Sequence, residues 1–140
     1  FTKPKVGDMD FSFSGLKTGI PYFIQKQQRI NPNFIAENLN DICASIQYTI
    51  VEILMDKLKN AVKHTGIQHI AIAGGVSANS EIRKRLSTAN KHFGWTTYIP
   101  KSEYTTDNAA MIAITGYLKY LNNEYADQNI SAKARLKVTE

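Results

Sequence analysis

At 140 residues, with 43% hydrophobic and 21% charged residues, the chain is long enough for one domain with its own core and has the balance of an ordinary globular protein. A single cysteine, Cys43, excludes an internal disulfide and a thiolate metal cage, and no apolar run reaches the length a membrane-spanning helix needs. The formal net charge of +5 permits a nucleic-acid partner without requiring one.

Residues 1–10 read as a loop with no element before it, and the chain does not begin with methionine, so a piece of a longer protein is expected. With no charged-then-apolar leader at the start, the expected setting is soluble and cytoplasmic. Phe11-Ser12-Phe13-Ser14 alternates aromatic and small polar residues, the period of a strand with one buried face, and Gly15 ends it. A helix is predicted from about Thr18 to Gln28, which puts Pro21 in a first turn, where its missing N–H costs nothing. Asn31-Pro32-Asn33 punctuates. Apolar residues from Ile35 to Val62 then recur at three- and four-residue steps, with Gly66 as the stop. Such a helix of about 30 residues would span roughly 45 Å, so a bend near Asn40 is expected. Cys43, beside Ile42 and Ile46 in this pattern, reads as a packed core thiol.

The run from His69 to Ala73 predicts a strand, followed by the Gly74-Gly75 turn and an amphipathic helix from about Asn79 to His92, in which Glu81 and Arg85 pair at i, i+4. Trp95 to Ile99 predicts another strand, closed by Pro100. A helix then runs from about Thr106-Asp107-Asn108 to Leu121, and residues 122–140 form a polar tail. Strand, helix, strand, helix predicts an α/β fold with a parallel strand pair. Three strands are few for a sheet that must cover a long helix, so an incomplete sheet flanked by helices is expected.

Three positions could carry chemistry. The Gly74-Gly75 turn either closes a strand-to-helix connection or lets bare backbone N–H groups meet a phosphate at a helix N-terminus. Asn79 either caps the following helix or turns its amide to a ligand lying over those glycines. Asp107 either caps the last helix or ligates a metal or nucleotide-bound cation, and one carboxylate can do both. His64, His69 and His92 have no metal-ligand spacing, and Ser14 and Ser77 sit in no G-x-S-x-G elbow.

Three segments in order, Phe11-Ser12-Phe13-Ser14-Gly15-Leu16-Lys17-Thr18, Ala73-Gly74-Gly75-Val76-Ser77-Ala78-Asn79 and Thr106-Asp107-Asn108-Ala109-Ala110-Met111-Ile112-Ala113, resemble the C-terminal half of the tRNA threonylcarbamoyladenosine transferase family. It is called TsaD in bacteria and Kae in archaea and eukaryotes, and was once labelled a glycoprotease or O-sialoglycoprotein endopeptidase. The resemblance implies an actin-like, Hsp70-like ATPase fold (ribonuclease H-like), with residues 11–121 as part of a nucleotide-binding lobe. It also implies transfer of a threonylcarbamoyl group from threonylcarbamoyl-AMP to N6 of adenosine 37 in tRNAs reading codons that begin with A. By the same resemblance, Gly74 and Gly75 face the adenylate, Asn79 binds it directly, and Asp107 is this half's one ligand to a divalent metal, iron or zinc. No catalytic side chain is implied here. The implied partners are tRNA and the accessory proteins TsaB and TsaE. The family's other metal ligands, an H-x-x-x-H pair, and a further glycine-rich loop belong to the N-terminal half, so this chain is expected to be inactive alone. The Phe-Ser-Phe-Ser-Gly segment is assigned to sheet structure. Open sheet edges leave self-association of the chain as a further possibility.

Two other classes compete. Arg83-Lys84-Arg85 and the tail residues Lys133, Arg135 and Lys137 would suit a nucleic-acid-binding module, testable by the salt dependence of binding. An actin-like or sugar-kinase-like ATPase lobe could share the fold without the transferase chemistry. The old metallopeptidase label finds no H-E-x-x-H, triad or thiol nucleophile.

Overall fold

The computed structural model describes residues 1–4, 6, 7, 9–132, 134 and 135. Among them the elements run α1 (Ser14–Ile30), α2 (Phe34–Thr65), β1 (His69–Ala71), a 3-10 turn (Gly75–Ala78), α3 (Ser80–Phe93), β2 (Thr96–Tyr98), a second 3-10 turn (Ser102–Tyr104) and α4 (Ala109–Leu121). The α/β class expected above holds, and β1 and β2 pair in parallel with His69 opposite Thr96 and Ala71 opposite Tyr98.

The N-terminal strand does not form: residues 11–13 are irregular, and the sheet has two strands among the described residues, where three were expected. Alternation shows only that one face could be buried, and a strand also needs a hydrogen-bonding neighbour, which Phe11–Phe13 lacks among the described residues. The two rings stack on each other instead, with centroids 6.4 Å apart. Helix α1 begins four residues earlier than predicted, at Ser14, so Pro21 lies in its interior and not in its first turn. That first turn is held by Lys17 N–H to Phe13 O (2.8 Å), by Thr18 Oγ1 donating to Ser14 O (3.1 Å), and by burial of Leu16. The helix continues through Pro21, which removes one backbone hydrogen bond from its interior.

Helix α2 is the expected long helix, and its break falls at Asn38, where φ is −123° and ψ 17°, two residues before the predicted bend. The cause is local: Asn38 Nδ2 donates to Phe34 O (2.9 Å), so a side-chain amide takes the carbonyl the helical ladder would use. Gly66 ends the helix at φ +73°, a left-handed turn that glycine adopts without a Cβ penalty, and its N–H reaches Val62 O (2.8 Å). Cys43 is exposed, which corrects the expectation of a core thiol; the apolar stripe at that level turns Ile42 inward and leaves its neighbour outside.

Two compact units are present, the first comprising residues 1–72 and 79–99, the second residues 73–78 and 100–140. In the first, Val51 and Met55 of α2, Ile70 of β1, Ile82, Leu86 and Ala89 of α3, and Trp95 form one core, joined by the partly buried Leu54, Leu58, Val62, Ile72 and Ile99. Only one face of the sheet enters it. Ile70 is buried, whereas His69, Ala71, Thr96 and Tyr98 are exposed, although parallel strands are ordinarily covered on both sides. On that open face His69 Nδ1 and Tyr98 Oη lie 3.1 Å apart.

Charges tie α2 to α3. Arg85 bonds Glu81 one turn back through Nε (3.0 Å), as its spacing predicted, and its Nη1 also pairs with Glu52. Lys3 in turn pairs with Glu52 (3.4 Å) and Asp56. Hydrogen bonding to Arg85 is the main influence holding the Glu52 carboxyl below its ordinary range; partial burial opposes it and Lys3 adds to it.

In the second unit, α4 is apolar over most of its circumference, yet every one of its side chains is exposed. Residues 122–132 that follow α4 carry no helix or strand.

Candidate ligand and metal site

The strand-to-helix turn is built by backbone bonds and one left-handed glycine. Beyond β1, Ile72 N–H still reaches Tyr98 O (3.1 Å). Gly74 then takes φ +77°, a conformation an L side chain adopts only with strain, and this reverses the chain. Its carbonyl accepts from both Ser77 N–H (3.0 Å) and Ser77 Oγ (2.7 Å), which fixes the 3-10 turn and buries Ser77 to 3% exposure. That bond gives Ser77 a structural use.

Gly75 is different. It has no positive φ, and a Cβ placed on it would meet no atom within 4 Å. The fold itself gives no reason for glycine there, so an alanine would fit the chain as it stands.

Asn79 does cap α3. Its Oδ1 accepts from Glu81 N–H (3.0 Å) and Ile82 N–H (3.1 Å), satisfying two of the amides a helix start leaves unpaired. Its Nδ2 makes no hydrogen bond among the described residues, so the cap leaves two amide protons for another acceptor. The two readings of Asn79 therefore concern different atoms of one side chain.

At α4 the cap is Asn108, whose Oδ1 accepts from Met111 N–H (3.3 Å) while its Nδ2 donates to Thr106 O (2.7 Å). The capping role considered for Asp107 is thus filled by its neighbour. Asp107 is exposed, and its carboxylate has no hydrogen bond or ion pair among the described residues. Gly74, Gly75 and Asp107 belong to the second compact unit and Asn79 to the first.

An exposed, uncommitted carboxylate suits a divalent cation that takes oxygen ligands. It is one ligand only: among the described residues, no three His, Cys, Asp or Glu side chains gather closely enough to hold a metal. His64, His69 and His92 remain apart from Asp107 in the sequence, and His69 is engaged with Tyr98. Of the basic cluster at residues 83–85, Arg85 is committed to Glu52 and Glu81, which removes it from the cations open to a phosphate backbone. Lys133 and Lys137 lie outside the described residues. The Glu52–Arg85 pair was not legible in spacing, since its members are 33 residues apart. No described helix is long and apolar enough to cross a membrane.

Comparison with known proteins bears directly on this arrangement. The family model for TsaD, tRNA N6-adenosine threonylcarbamoyltransferase, matches residues 1–114. Proteins of that name are 58% identical in Christiangramia forsetii (98% of this chain, 40% of that protein), 53% in Riemerella anatipestifer (99% and 40%) and 43% in Thermodesulfovibrio yellowstonii (93% and 39%). The chain therefore spans about two-fifths of the length of the curated relatives it matches. On the strength of these matches, the chain belongs to the tRNA N6-adenosine threonylcarbamoyltransferase family.

Proposed function

We propose that this chain is the C-terminal part of an enzyme that transfers a threonylcarbamoyl group from threonylcarbamoyl-AMP to N6 of adenosine 37 in tRNAs reading codons that begin with A. On this reading its α/β layer is part of an actin-like ATPase lobe, and the intact protein works in the cytoplasm on tRNA, with TsaB and TsaE as accessory partners. The observation that carries the proposal is Gly75: a glycine with no conformational need and open space where its Cβ would be, at the turn that leads into a helix N-terminus. A turn of this kind lets main-chain amides approach an anion closely, as the phosphate of an adenylate requires.

Each residue then has a distinct task. Gly74 supplies the left-handed reversal, Gly75 the bare approach, and Asn79 Nδ2 a hydrogen-bond donor whose orientation is fixed because Oδ1 is held by the α3 cap. Asp107 offers an oxygen ligand to one divalent metal, iron or zinc, whose remaining ligands come from outside this span. When bound, such a metal polarises carbamoyl or phosphate oxygens. A lone carboxylate ligand and half a cleft leave the chain inactive by itself.

Gly75→Ala in the intact protein tests this. Removing a glycine where alanine fits leaves stability unchanged or raises it by about 0.4–1 kcal/mol. Affinity for threonylcarbamoyl-AMP, measured by calorimetry, is expected to fall about tenfold or more, a loss of roughly 1.4 kcal/mol. Unchanged affinity in a stable variant would remove the glycine turn from the ligand site.

A further inference from the structure

Charge is unevenly divided along the chain. From Lys57 to Lys101 it carries eight lysines and arginines against one acid, Glu81, whereas the rest of the sequence holds slightly more acids than bases. Within the first compact unit the fold gathers part of this surplus where α2 and α3 end. Lys59 Nζ lies over the Phe93 ring, 5.2 Å from its centroid, which brings the end of α2 against the last residue of α3. Lys63 stands one turn beyond Lys59, Lys91 and His92 lie in the last turn of α3, and all four are exposed. Cations near a helix C-terminus complement its dipole, but that effect is confined to the last turn and Lys59 stands outside it. Lys59, Lys63 and Lys91 have no ion pair among the described residues, while Glu52, Asp56 and Glu81 of the same two helices are taken by Lys3 and Arg85. Lysines gathered without counter-charges repel one another, and an anionic partner relieves that repulsion.

We propose that the adjoining C-terminal ends of α2 and α3 are a docking surface for the phosphate backbone of tRNA, with Lys59, Lys63 and Lys91 as its phosphate contacts. That the RNA is a tRNA rests on the family reading. Lysines spaced along two helix ends and free of acids suit a repeating line of phosphates, which they position without reading sequence. The place fits the reaction as well. Asn79 opens α3 and this surface lies at the other end of that helix, whose 14 residues span about 20 Å. An RNA helix held with its adenosine near Asn79 is long enough to lay its backbone across that distance. The surface would then carry affinity and orientation, while the groups around Asn79 carry the chemistry.

The test compares two double variants of the intact protein for tRNA binding across a series of salt concentrations. Lys59→Gln with Lys91→Gln is expected to lose about tenfold in affinity at low salt and to flatten the fall of log affinity with log salt by about 1.5 to 2, the share of two lost phosphate contacts. Lys26→Gln with Arg29→Gln removes as much charge from exposed positions of α1 and should keep the parent's affinity and slope. Melting temperature and threonylcarbamoyl-AMP affinity should be the same in both. The proposal is overturned if tRNA does not bind the intact protein, if the two double variants bind it alike, or if the first loses affinity for polyglutamate and none for tRNA, which would assign the surface to an acidic protein. Threonylcarbamoyladenosine formed at saturating tRNA, expected at the parent's rate in both variants, reads the family activity separately. Binding that depends on the two lysines in a protein that forms no such product leaves this inference standing and counts against the transferase reading.

Discussion

Helices α3 and α4 are almost equal in length, 14 and 13 residues, and each is closed at its start by an asparagine side chain, yet they bury very different amounts of themselves. Helix α3 has a polar average composition and sets Ile82, Leu86 and Ala89 into the core with Val51, Met55, Ile70 and Trp95. Helix α4 is the more apolar of the two and buries no residue. The difference teaches that a helix's stability is decided by where its apolar stripe finds a partner, and local capping cannot substitute for one. Helix α3 finds its partners within the first compact unit, whereas α4 buries none of its side chains among the described residues.

Core substitution should break the comparison most severely. Leu86→Ala, at a position 1% exposed, is expected to cost about 2–5 kcal/mol in chemical denaturation, whereas Leu118→Ala in the same chain should cost no more than about 0.5 kcal/mol. Equal costs would mean that α4 is packed within this chain after all. The cap of α3 comes next. Asn79→Ala should cost about 1 kcal/mol, while Asn79→Ser keeps a capping oxygen and costs less. In the intact protein both variants lose Nδ2, so both should weaken threonylcarbamoyl-AMP binding; a serine variant with full affinity would reduce Asn79 to a cap.

The smallest effect concerns the ion pairs between α2 and α3. Because Arg85 above all holds Glu52 below its ordinary pKa, Glu52 contributes stability that is fully present above the unfolded carboxylate value and lost as pH falls through the lower folded one. Arg85→Gln should therefore flatten the fall of stability with pH below the ordinary glutamate pKa, as followed by thermal melts across that range. The pairs are partly exposed, so the effect is that of a surface network. An identical acid limb in the variant would show that Arg85 is not what holds Glu52 down.

Much of this architecture was legible in the residues because it is set by local rules. Gly66 stops α2 in a left-handed turn, Asn79 opens α3, and the two strands pair in parallel across that helix. What was not legible depended on competition between neighbours. Helix α1 opens at Ser14, where Leu16 is buried, and runs on through Pro21; Asn38, and not Asn40, takes a backbone carbonyl; Asn108, and not Asp107, closes α4. The segment Phe11–Phe13 has strand periodicity, but periodicity cannot supply the neighbouring strand it needs. The glycine turn was visible as a motif, whereas the difference between Gly74, which needs its φ, and Gly75, which does not, required backbone geometry.

The central claim is that Asp107 is free for chemistry because Asn108 does the capping. It is tested most directly by Asp107→Ala in the intact protein, with thermal stability, bound metal and threonylcarbamoyladenosine in tRNA measured on the same preparation. Unchanged melting with loss of metal and of the modified nucleoside is the predicted result. Full metal occupancy with normal tRNA modification would contradict it.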